Sequence, residues 1–400
     1  MIENLKKRFP VFLKNPHLVF FDTAASALKV DTMINAVTEC YSYEYANIHR
    51  GIYELSSKLT KRYEDSRLSV SKFINSPSYE NIIFTKSATE GINLVSSCLS
   101  ENYFNDGDEV LVTSLEHHAN LVPWHLVSKK IRIITAKLKA TGELDYSDLL
   151  EKMNSKTKLL AITHMSNVTG SITKFEQIKV KANQFNIPLL IDGCQFVPHK
   201  KLNIKELDPD FYVFSAHKLY GPSGLGILYM KDKWIDKLGP YQGGGSMIKN
   251  VDTDSSTYLN GFQKFEAGTP PIAEVIGLSA SLDFINEVGI ENIFQYEKNL
   301  TQYAYDQMKS INDLKTYGDF SNQTSIISFN INRIHFNDLA MLLDKKNIAI
   351  RTGHHCAQPF MKCFNISGNA RMSVGVYTTK DDIDYFIKSI NEVKEILSYD

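Results

Sequence analysis

Short apolar runs alternate with segments of helical periodicity through the first two-thirds of the chain. The runs that we assign to strands are 81–85, 109–113, 131–135, 158–163, 187–191, 211–214 and 225–230. Helical segments such as 89–99 and 175–185 lie between them. Parallel strands are apolar throughout when helices cover both faces of their sheet. The pattern therefore predicts an α/β fold with a mostly parallel sheet that carries helices on both faces.

The pattern changes near residue 285, where a long helical stretch begins. Predicted strands then follow at 324–331, 348–351 and 370–377, and predicted helices at 335–345 and 380–397. This mixture is typical of a smaller α+β domain. We expect an N-terminal segment at 1–18 that packs with the small domain, a large ligand-binding domain at 19–284 and the small domain at 285–400. No repeat or low-complexity linker separates the domains, so a cleft between them is expected.

Composition narrows the functional classes. The 400 residues include 44 Lys and Arg and 45 Asp and Glu, which gives a net charge of -1 and no argument for nucleic acid or an anionic membrane as a partner. No run approaches the roughly 20 apolar residues of a membrane span, so we expect a cytoplasmic protein. The cysteines are odd in number and scattered, which suits free thiols: Cys40, Cys98, Cys194, Cys356 and Cys363. No CxxC spacing is present, and no metal site is expected.

Two predicted strand ends carry groups suited to covalent chemistry. Lys218 closes the run Ser-Ala-His-Lys after strand 211–214, where a partly desolvated amine could form a Schiff base with an aldehyde cofactor. A snorkelling surface lysine is the alternative. Asp192 ends strand 187–191, and a carboxylate there would keep a pyridine nitrogen protonated. A turn or helix-capping aspartate is the alternative for this residue.

Other polar motifs lie at neighbouring strand ends. The run 86–91, Lys-Ser-Ala-Thr-Glu-Gly, begins a predicted helix whose backbone N–H groups could bind a phosphate. The alternative is an ordinary capped helix, which has the same kind of sequence at its N-terminus. His117 and His118 follow strand 109–113, where an imidazole could stack on a heteroaromatic ring or have a purely structural role. Asn167 and Gln195 could donate hydrogen bonds to a phenolic oxygen.

The small domain contributes a loop with the sequence Arg351-Thr-Gly-His-His-Cys356. Basic neighbours favour a thiolate at Cys356 and make it a candidate nucleophile, with an inert loop cysteine as the alternative. Arg371, in the next predicted strand, could clamp a carboxylate with its planar guanidinium or pair with an acidic neighbour in the fold.

Together these motifs resemble the Suf-type cysteine desulfurases, the group II branch of the class V aminotransferase-like pyridoxal-phosphate enzymes. The resemblance keeps order and spacing from Phe21-Asp-Thr-Ala-Ala-Ser26 through Ala46-Asn-Ile-His-Arg-Gly51 to Arg351-Thr-Gly-His-His-Cys356. It implies the fold type I architecture, in which the large domain binds pyridoxal 5'-phosphate and the small domain carries the catalytic cysteine loop.

The resemblance also implies a role for each matching residue at the cofactor. Lys218 would hold the cofactor covalently, His117 would stack on its ring, and Asp192 would meet the pyridine nitrogen. Thr269 would reach the phosphate from a second subunit, so a homodimer is expected. The remaining contacts, two amides at the ring oxygen and four groups at the phosphate, would come from Asn167, Gln195, Ala88, Thr89, Ser215 and His217.

By the same resemblance, the substrate is L-cysteine and the product L-alanine. Arg371, Asn167 and Arg351 would bind the substrate, Lys218 and His117 would move protons, and Cys356 would take the sulfur as a persulfide. A small acceptor protein of the Suf pathway would then receive this sulfur for iron–sulfur cluster assembly.

Several positions depart from the family pattern, and three other functions compete with the desulfurase. The departures are Ser246 after the glycine triplet, Ala88 in the phosphate loop, Met372-Ser-Val after Arg371, and Tyr377-Thr-Thr379; none removes a catalytic group. A selenocysteine lyase would use the same site. A kynureninase-like hydrolase would have no use for Cys356, and a silent scaffold would have no reason to retain the full set of catalytic groups.

Overall fold

The computed structural model describes residues 2–322 and 324–398. Its strands, in chain order, are β1 (Val19–Phe20), β2 (Ile82–Thr85), β3 (Asp108–Thr113), β4 (Ile131–Ala136), β5 (Thr157–Thr163), β6 (Leu189–Asp192), β7 (Phe211–Ser215), β8 (Gly226–Met230), β9 (Ile248–Val251), β10 (Ser256–Tyr258), β11 (Leu314–Tyr317), β12 (Ile326–Ile331), β13 (Ile348–Ala349), β14 (Arg351–Gly353) and β15 (Asn369–Ser373).

The α-helices range from single turns to five turns. In chain order they are α1 (Val11–Lys14), α2 (Asp31–Glu39), α3 (Glu54–Phe73), α4 (Ala88–Asn102), α5 (Val122–Leu126), α6 (Tyr146–Lys152), α7 (Glu176–Phe185), α8 (Ile204–Leu207), α9 (Asp232–Lys237), α10 (Ile272–Val288), α11 (Ile290–Met308), α12 (Phe336–Asp344), α13 (Gln358–Cys363) and α14 (Lys380–Ser398).

The larger sheet has seven strands in the order β2-β8-β7-β6-β5-β3-β4. Its strands β7, β6, β5, β3 and β4 pair in parallel, whereas β8 runs antiparallel to both of its neighbours. Every residue of β2, β6, β7 and β8 is buried, as expected for strands covered on both faces. The predicted mostly parallel α/β architecture is therefore confirmed, and the strands after which the polar motifs were predicted share this one sheet.

A smaller antiparallel sheet has the order β11-β12-β15-β14. It shares a hydrophobic core with α11, α12 and α14, in which the rings of Phe21 and Phe386 lie 5.1 Å apart between centroids, with their planes tilted by 53°. The short strand β1 pairs in parallel with β13, which brings the chain around residue 20 to this second core. The boundaries at residues 18 and 284 stay predictions. Among the residues that the structure describes, no helix combines the length and apolar character that crossing a bilayer requires.

A buried carboxylate ties the two sheets together. Glu297, on α11, is 0% exposed, and its carboxylate contacts His199 Nδ1 at 2.6 Å and accepts from Ser325 Oγ at 3.0 Å. Tyr220, two residues after Lys218, donates its hydroxyl to the other carboxylate oxygen at 3.4 Å. His199 and Tyr220 follow strands of the large sheet, whereas Ser325 directly precedes β12 of the small sheet. Glu297 therefore fixes the lysine-bearing loop relative to the small domain.

We predict that Glu297→Ala destabilises the fold by about 3 to 5 kcal/mol, because it leaves buried polar partners without their carboxylate. Chemical denaturation monitored by fluorescence would measure the change. The exposed Glu291→Ala, on the same helix, is the control and should change stability by less than about 0.5 kcal/mol. Equal effects of the two substitutions would contradict the assignment of Glu297 as the structural tie.

Candidate active site

A cavity of about 300 Å³ lies where the two sheets meet. Polar groups from both domains line it, including every predicted site residue except Thr269: Ala88, Thr89, His117, Asn167, Asp192, Gln195, Ser215, His217, Lys218, Arg351, Cys356 and Arg371. Thr269 instead lines a separate hollow beside Lys86 and Tyr241. The amine, the carboxylate and the cysteine singled out from the sequence therefore share one chamber.

The amine and the carboxylate come from adjacent parallel strands. Asp192 is the last residue of β6, and β7 beside it ends at Ser215, from which a short 3₁₀ turn leads to Lys218. The carboxyl ends of parallel strands meet at one edge of a sheet, and ligands gather there. Asp192 is buried and accepts from the N–H of Cys194 at 3.0 Å, while Lys218 is partly buried.

One end of the cavity is a turn that leads into α4. Ser87 caps this helix, and a Cβ built on Gly226 would lie 2.2 Å from the Ser87 carbonyl carbon, so the close approach of β8 requires glycine. The N–H of Ala88 donates to Ser215 Oγ at 2.9 Å, and His217 Nδ1 lies 3.2 Å from Ser26 Oγ. Backbone N–H groups and the dipole of α4 favour an anion at this end.

The two amides predicted to flank a ring oxygen are also joined to the backbone. Gln195 Nε2 donates to the carbonyl of Ala24 at 2.6 Å, and Asn167 Nδ2 donates to the carbonyl of His355 at 2.8 Å. A carboxamide nitrogen carries two N–H donors. Each amide thus keeps a second donor while its first one fixes the side chain.

His117 is held as a neutral ring. Its Nδ1 accepts from the N–H of Ala119 at 3.0 Å, which leaves the proton on Nε2. Burial, together with the nearby Lys218 amine, lowers the pKa of His117 to about 4. At neutral pH the ring therefore offers a flat face and an Nε2–H donor.

Arg371 is 2% exposed and joins both domains. One guanidinium nitrogen donates to the carbonyl of Asn167 at 2.8 Å, and another lies 3.4 Å from Asp22. Burial lowers the pKa of Arg371 to about 10, which still leaves it charged at neutral pH. Asp22 also binds Arg351 at 3.0 Å. The acidic neighbour that the sequence left open for Arg371 is thus Asp22, which lies in the quoted run 21–26 but had been given no role.

Two buried polar atoms beside the cavity have no hydrogen-bond partner within residues 2–322 and 324–398: Arg371 Nε and His355 Nδ1. The Nε2 of His355 lies 2.7 Å from the side-chain oxygen of Asn369, so the Nδ1 of the neutral ring is an acceptor. Burial lowers the pKa of His355 to about 3. Because unsatisfied buried groups are costly, these atoms suit a polar ligand. With an amine, a buried carboxylate and an anion-binding helix end, the residues fit a phosphorylated pyridine aldehyde.

Burial distinguishes the cysteines from one another. Burial raises the pKa of Cys40, Cys98 and Cys194, which keeps these thiols protonated and poorly nucleophilic. Cys356 and Cys363 are exposed, and of these two only Cys356 lines the cavity. The geometry thus favours Cys356 as the sulfur nucleophile among the described cysteines.

Sequence analysis missed two titratable groups that lie behind the cavity. Lys29 donates to the carbonyl of His217 at 3.0 Å, and burial lowers its pKa to about 8. Glu116 is completely buried next to His117, accepts from Thr113 and Asn120, and has a pKa that burial raises to about 8. Glu116 directly precedes His117 and His118 in the sequence, but only its burial shows that it is largely protonated at neutral pH.

We predict that Glu116 makes the fold less stable as pH rises from about 4.5 to about 8. The unfolded chain loses this proton near 4.5, whereas the folded chain keeps it until about 8, so raising pH favours unfolding within that window. The unfolding free energy of the native chain minus that of Glu116→Gln should fall, as pH rises through this window, by up to about 1.4 kcal/mol per pH unit. Exposed Glu80→Gln is the control, and a difference for Glu116→Gln that is independent of pH would reject the protonated carboxyl.

Comparisons with known proteins agree with this architecture. The model of the aminotransferase class-V family matches residues 19–386. A cysteine desulfurase of Wigglesworthia glossinidia brevipalpis is 43% identical over 404 residues, covering 99% of this chain and 98% of that protein. The crystal structure of the Escherichia coli cysteine desulfurase CsdA in its S-sulfonic acid form is 33% identical with a TM-score of 0.93, covering 99% of each chain. The apo cysteine desulfurase of Thermococcus onnurineus NA1 is 33% identical with a TM-score of 0.92, covering 98% of this chain and 97% of that one.

These matches confirm the predicted fold type I architecture and pyridoxal phosphate as the cofactor, whereas the Suf-type assignment stays a prediction. The family model covers both sheets and the loop that carries Cys356. The chain belongs to the aminotransferase class-V family.

Proposed function

We propose that this enzyme, a pyridoxal-phosphate-dependent cysteine desulfurase, transfers the sulfur of L-cysteine to Cys356 and then to a small acceptor protein. One observation carries the proposal: Lys218 and Asp192 from the large sheet open into the same cavity as Cys356 and Arg371 from the small domain. Similarity to proteins named cysteine desulfurase, at 43% and 39% identity over nearly the whole chain, supports the choice of substrate.

The cofactor would be held by residues from several strand ends. Lys218 would bind it covalently, Asp192 would face the pyridine nitrogen, and His117 would stack on the ring. When bound, pyridoxal phosphate supplies an aldehyde that condenses with amines and a ring that delocalises negative charge from the substrate α-carbon. The phosphate contacts would come from the opening of α4 and the loop after β7, through Ala88, Thr89, Ser215 and His217.

The substrate would be oriented by the small domain. The guanidinium of Arg371, whose Nε is unpartnered among the described residues, would bind the α-carboxylate, with Arg351 and Asn167 beside it. Lys218 would remove the α-proton as a general base, and the Nε2–H of His117 would face the leaving fragment as a proton donor.

Sulfur transfer would proceed through Cys356. Its thiolate attacks the substrate sulfur, the bond between that sulfur and the β-carbon breaks, and the electron pair remains on the carbon fragment, which takes up protons to become L-alanine. The sum is L-cysteine plus thiol giving L-alanine plus persulfide. Cys356 is exposed, so a second thiol from outside could take the terminal sulfur by the same exchange.

We propose further that the acceptor belongs to the Suf pathway and supplies iron–sulfur cluster assembly. The support is the match in order and spacing of the run 351–356 to the Suf-type pattern. Selenocysteine would use the same carboxylate contact and nucleophile, so a minor selenocysteine lyase activity is also proposed.

We predict that Cys356→Ser abolishes sulfur release from L-cysteine while leaving the cofactor bound, because only the sulfur acceptor is removed. Mass spectrometry after incubation with L-cysteine should find one extra sulfur on the peptide that bears Cys356. The exposed Cys363→Ser is the matched control and should keep both the activity and the modified peptide. Undiminished alanine formation by Cys356→Ser would reject the proposal.

A homodimer is proposed because Thr269 lies outside its own chain's cavity and because exposed apolar side chains cluster at residues 41–53, with Tyr43 and Ile52 among them. We predict that sedimentation velocity gives twice the chain mass. Thr269→Ala should remain dimeric but bind the cofactor more weakly, since one phosphate contact from the second subunit is lost. The exposed Thr253→Ala is the control; a monomer that binds the cofactor with full affinity would contradict the shared site.

A further inference from the structure

Two histidines, His118 and His354, lie close to the exposed Cys356. His118, His354 and Cys356 each have a possible ligand atom, and these atoms lie within 4.8 Å of one another. The rings of His118 and His354 are 5.5 Å apart between centroids. The proposed desulfurase reaction assigns no role to either histidine.

The backbone brings these side chains together from different parts of the fold. His118 opens a short turn after β3, whereas His354 and Cys356 lie between β14 and α13. The N–H of His118 donates to the carbonyl of Cys356 at 2.7 Å, and the N–H of Gln358 donates to His118 Nε2 at 3.1 Å. His355 and Cys356 both adopt left-handed backbone angles, with φ of 50° and 54°. A non-glycine pair in this conformation persists only where its surroundings hold it.

We propose that His118, His354 and Cys356 bind a thiophilic divalent cation, with Zn²⁺ as the preferred ion. One thiolate and two imidazoles form a donor set that Zn²⁺ accepts, with a fourth position open to water or to an incoming thiolate. His355 is not a ligand, because its ring is buried and Asn369 holds its Nε2. The ion would bind the sulfur that the proposed function uses, so it would also inhibit sulfur transfer; that second step rests on the proposed function.

The cluster needs only a small contraction to reach zinc geometry. Tetrahedral Zn²⁺ with ordinary bonds to nitrogen and sulfur separates its ligand atoms by about 3.3 to 3.6 Å. His354 and Cys356 are exposed and His118 is partly so, which leaves their side chains room to rotate. The ion would bind the sulfur of Cys356 as a thiolate.

Binding also disturbs hydrogen bonds that are present without the ion. His354 Nδ1 accepts from the N–H of Cys356 at 3.1 Å, as His118 Nε2 does from Gln358. A neutral imidazole has one unprotonated ring nitrogen, so coordination either displaces the backbone N–H from that nitrogen or takes place at the other ring nitrogen after the ring proton has moved. We therefore expect affinity below that of structural zinc sites, and a reversible ion that a chelator removes.

Titration of the cofactor-loaded enzyme with Co²⁺ tests the site directly. Cobalt in a tetrahedral site with a thiolate gives visible ligand-field bands and a thiolate charge-transfer band, neither of which depends on turnover. We expect one equivalent of Co²⁺ to produce both bands and Zn²⁺ to displace it. Cys356→Ser should lose the charge-transfer band, and His118→Ala and His354→Ala should each weaken binding at least tenfold. Absence of the bands in the native enzyme would overturn the site.

Matched variants separate this site from adventitious binding. Cys363→Ser and His125→Ala, both exposed and outside the cluster, should bind Co²⁺ as the native chain does. The cofactor absorbance of every variant reports whether its fold is intact. Bands that persist in Cys356→Ser but vanish in Cys363→Ser would overturn the proposal.

Activity assays separate the two proposals. Turnover with a chelator present tests the desulfurase alone, since no ion is then bound. If that activity is present, Zn²⁺ should inhibit it, and His354→Ala should need at least tenfold more Zn²⁺ for half-inhibition. Zn²⁺ that binds the cluster but leaves turnover unchanged would overturn the inhibitory role while leaving the metal site in place.

Discussion

The active-site region depends on hydrogen bonds that cross between the two sheets at Asn167. Its backbone carbonyl accepts from Arg371 at 2.8 Å, and its side-chain nitrogen donates to the carbonyl of His355 at 2.8 Å. The next residue, Val168, accepts from Ser328 Oγ of the small sheet at 2.6 Å. These buried contacts exclude water and have direction, so they fix the position of the cysteine loop relative to the loop that follows β5 of the large sheet.

Burial of titratable groups determines which side chains around the active-site cavity carry a charge. His117, His217 and His355 all have pKa values lowered by burial, so none of them adds a positive charge at neutral pH. Arg371 keeps its charge and is balanced in part by Asp22. The arrangement confines cationic character to a few fixed positions, which is what orientation of an anionic substrate requires.

Much of the fold followed from hydrophobic patterning, because parallel strands buried on both faces are apolar throughout. Strand β5, predicted at 158–163, spans Thr157–Thr163, and the last helix, predicted at 380–397, spans Lys380–Ser398. The antiparallel direction of β8 was not predicted, since a buried strand has the same composition in either direction. The pairing of β1 with β13 was also not predicted, because a strand of two residues is too short to show a periodic pattern of hydrophobic positions.

The candidate site was predictable where a residue's chemistry is visible in its local motif, as for Lys218 and Cys356. Contacts between distant segments were not. Asp22 meets two arginines more than 300 residues later in the chain, and His118 meets Cys356 only because the two domains touch.

The neutral state of Glu116 has a further consequence for the whole molecule. The formal net charge of -1 counts this carboxyl as ionised. When the carboxyl keeps its proton, the net charge becomes zero. At neutral pH the native chain should therefore migrate more slowly in an electric field than its composition suggests.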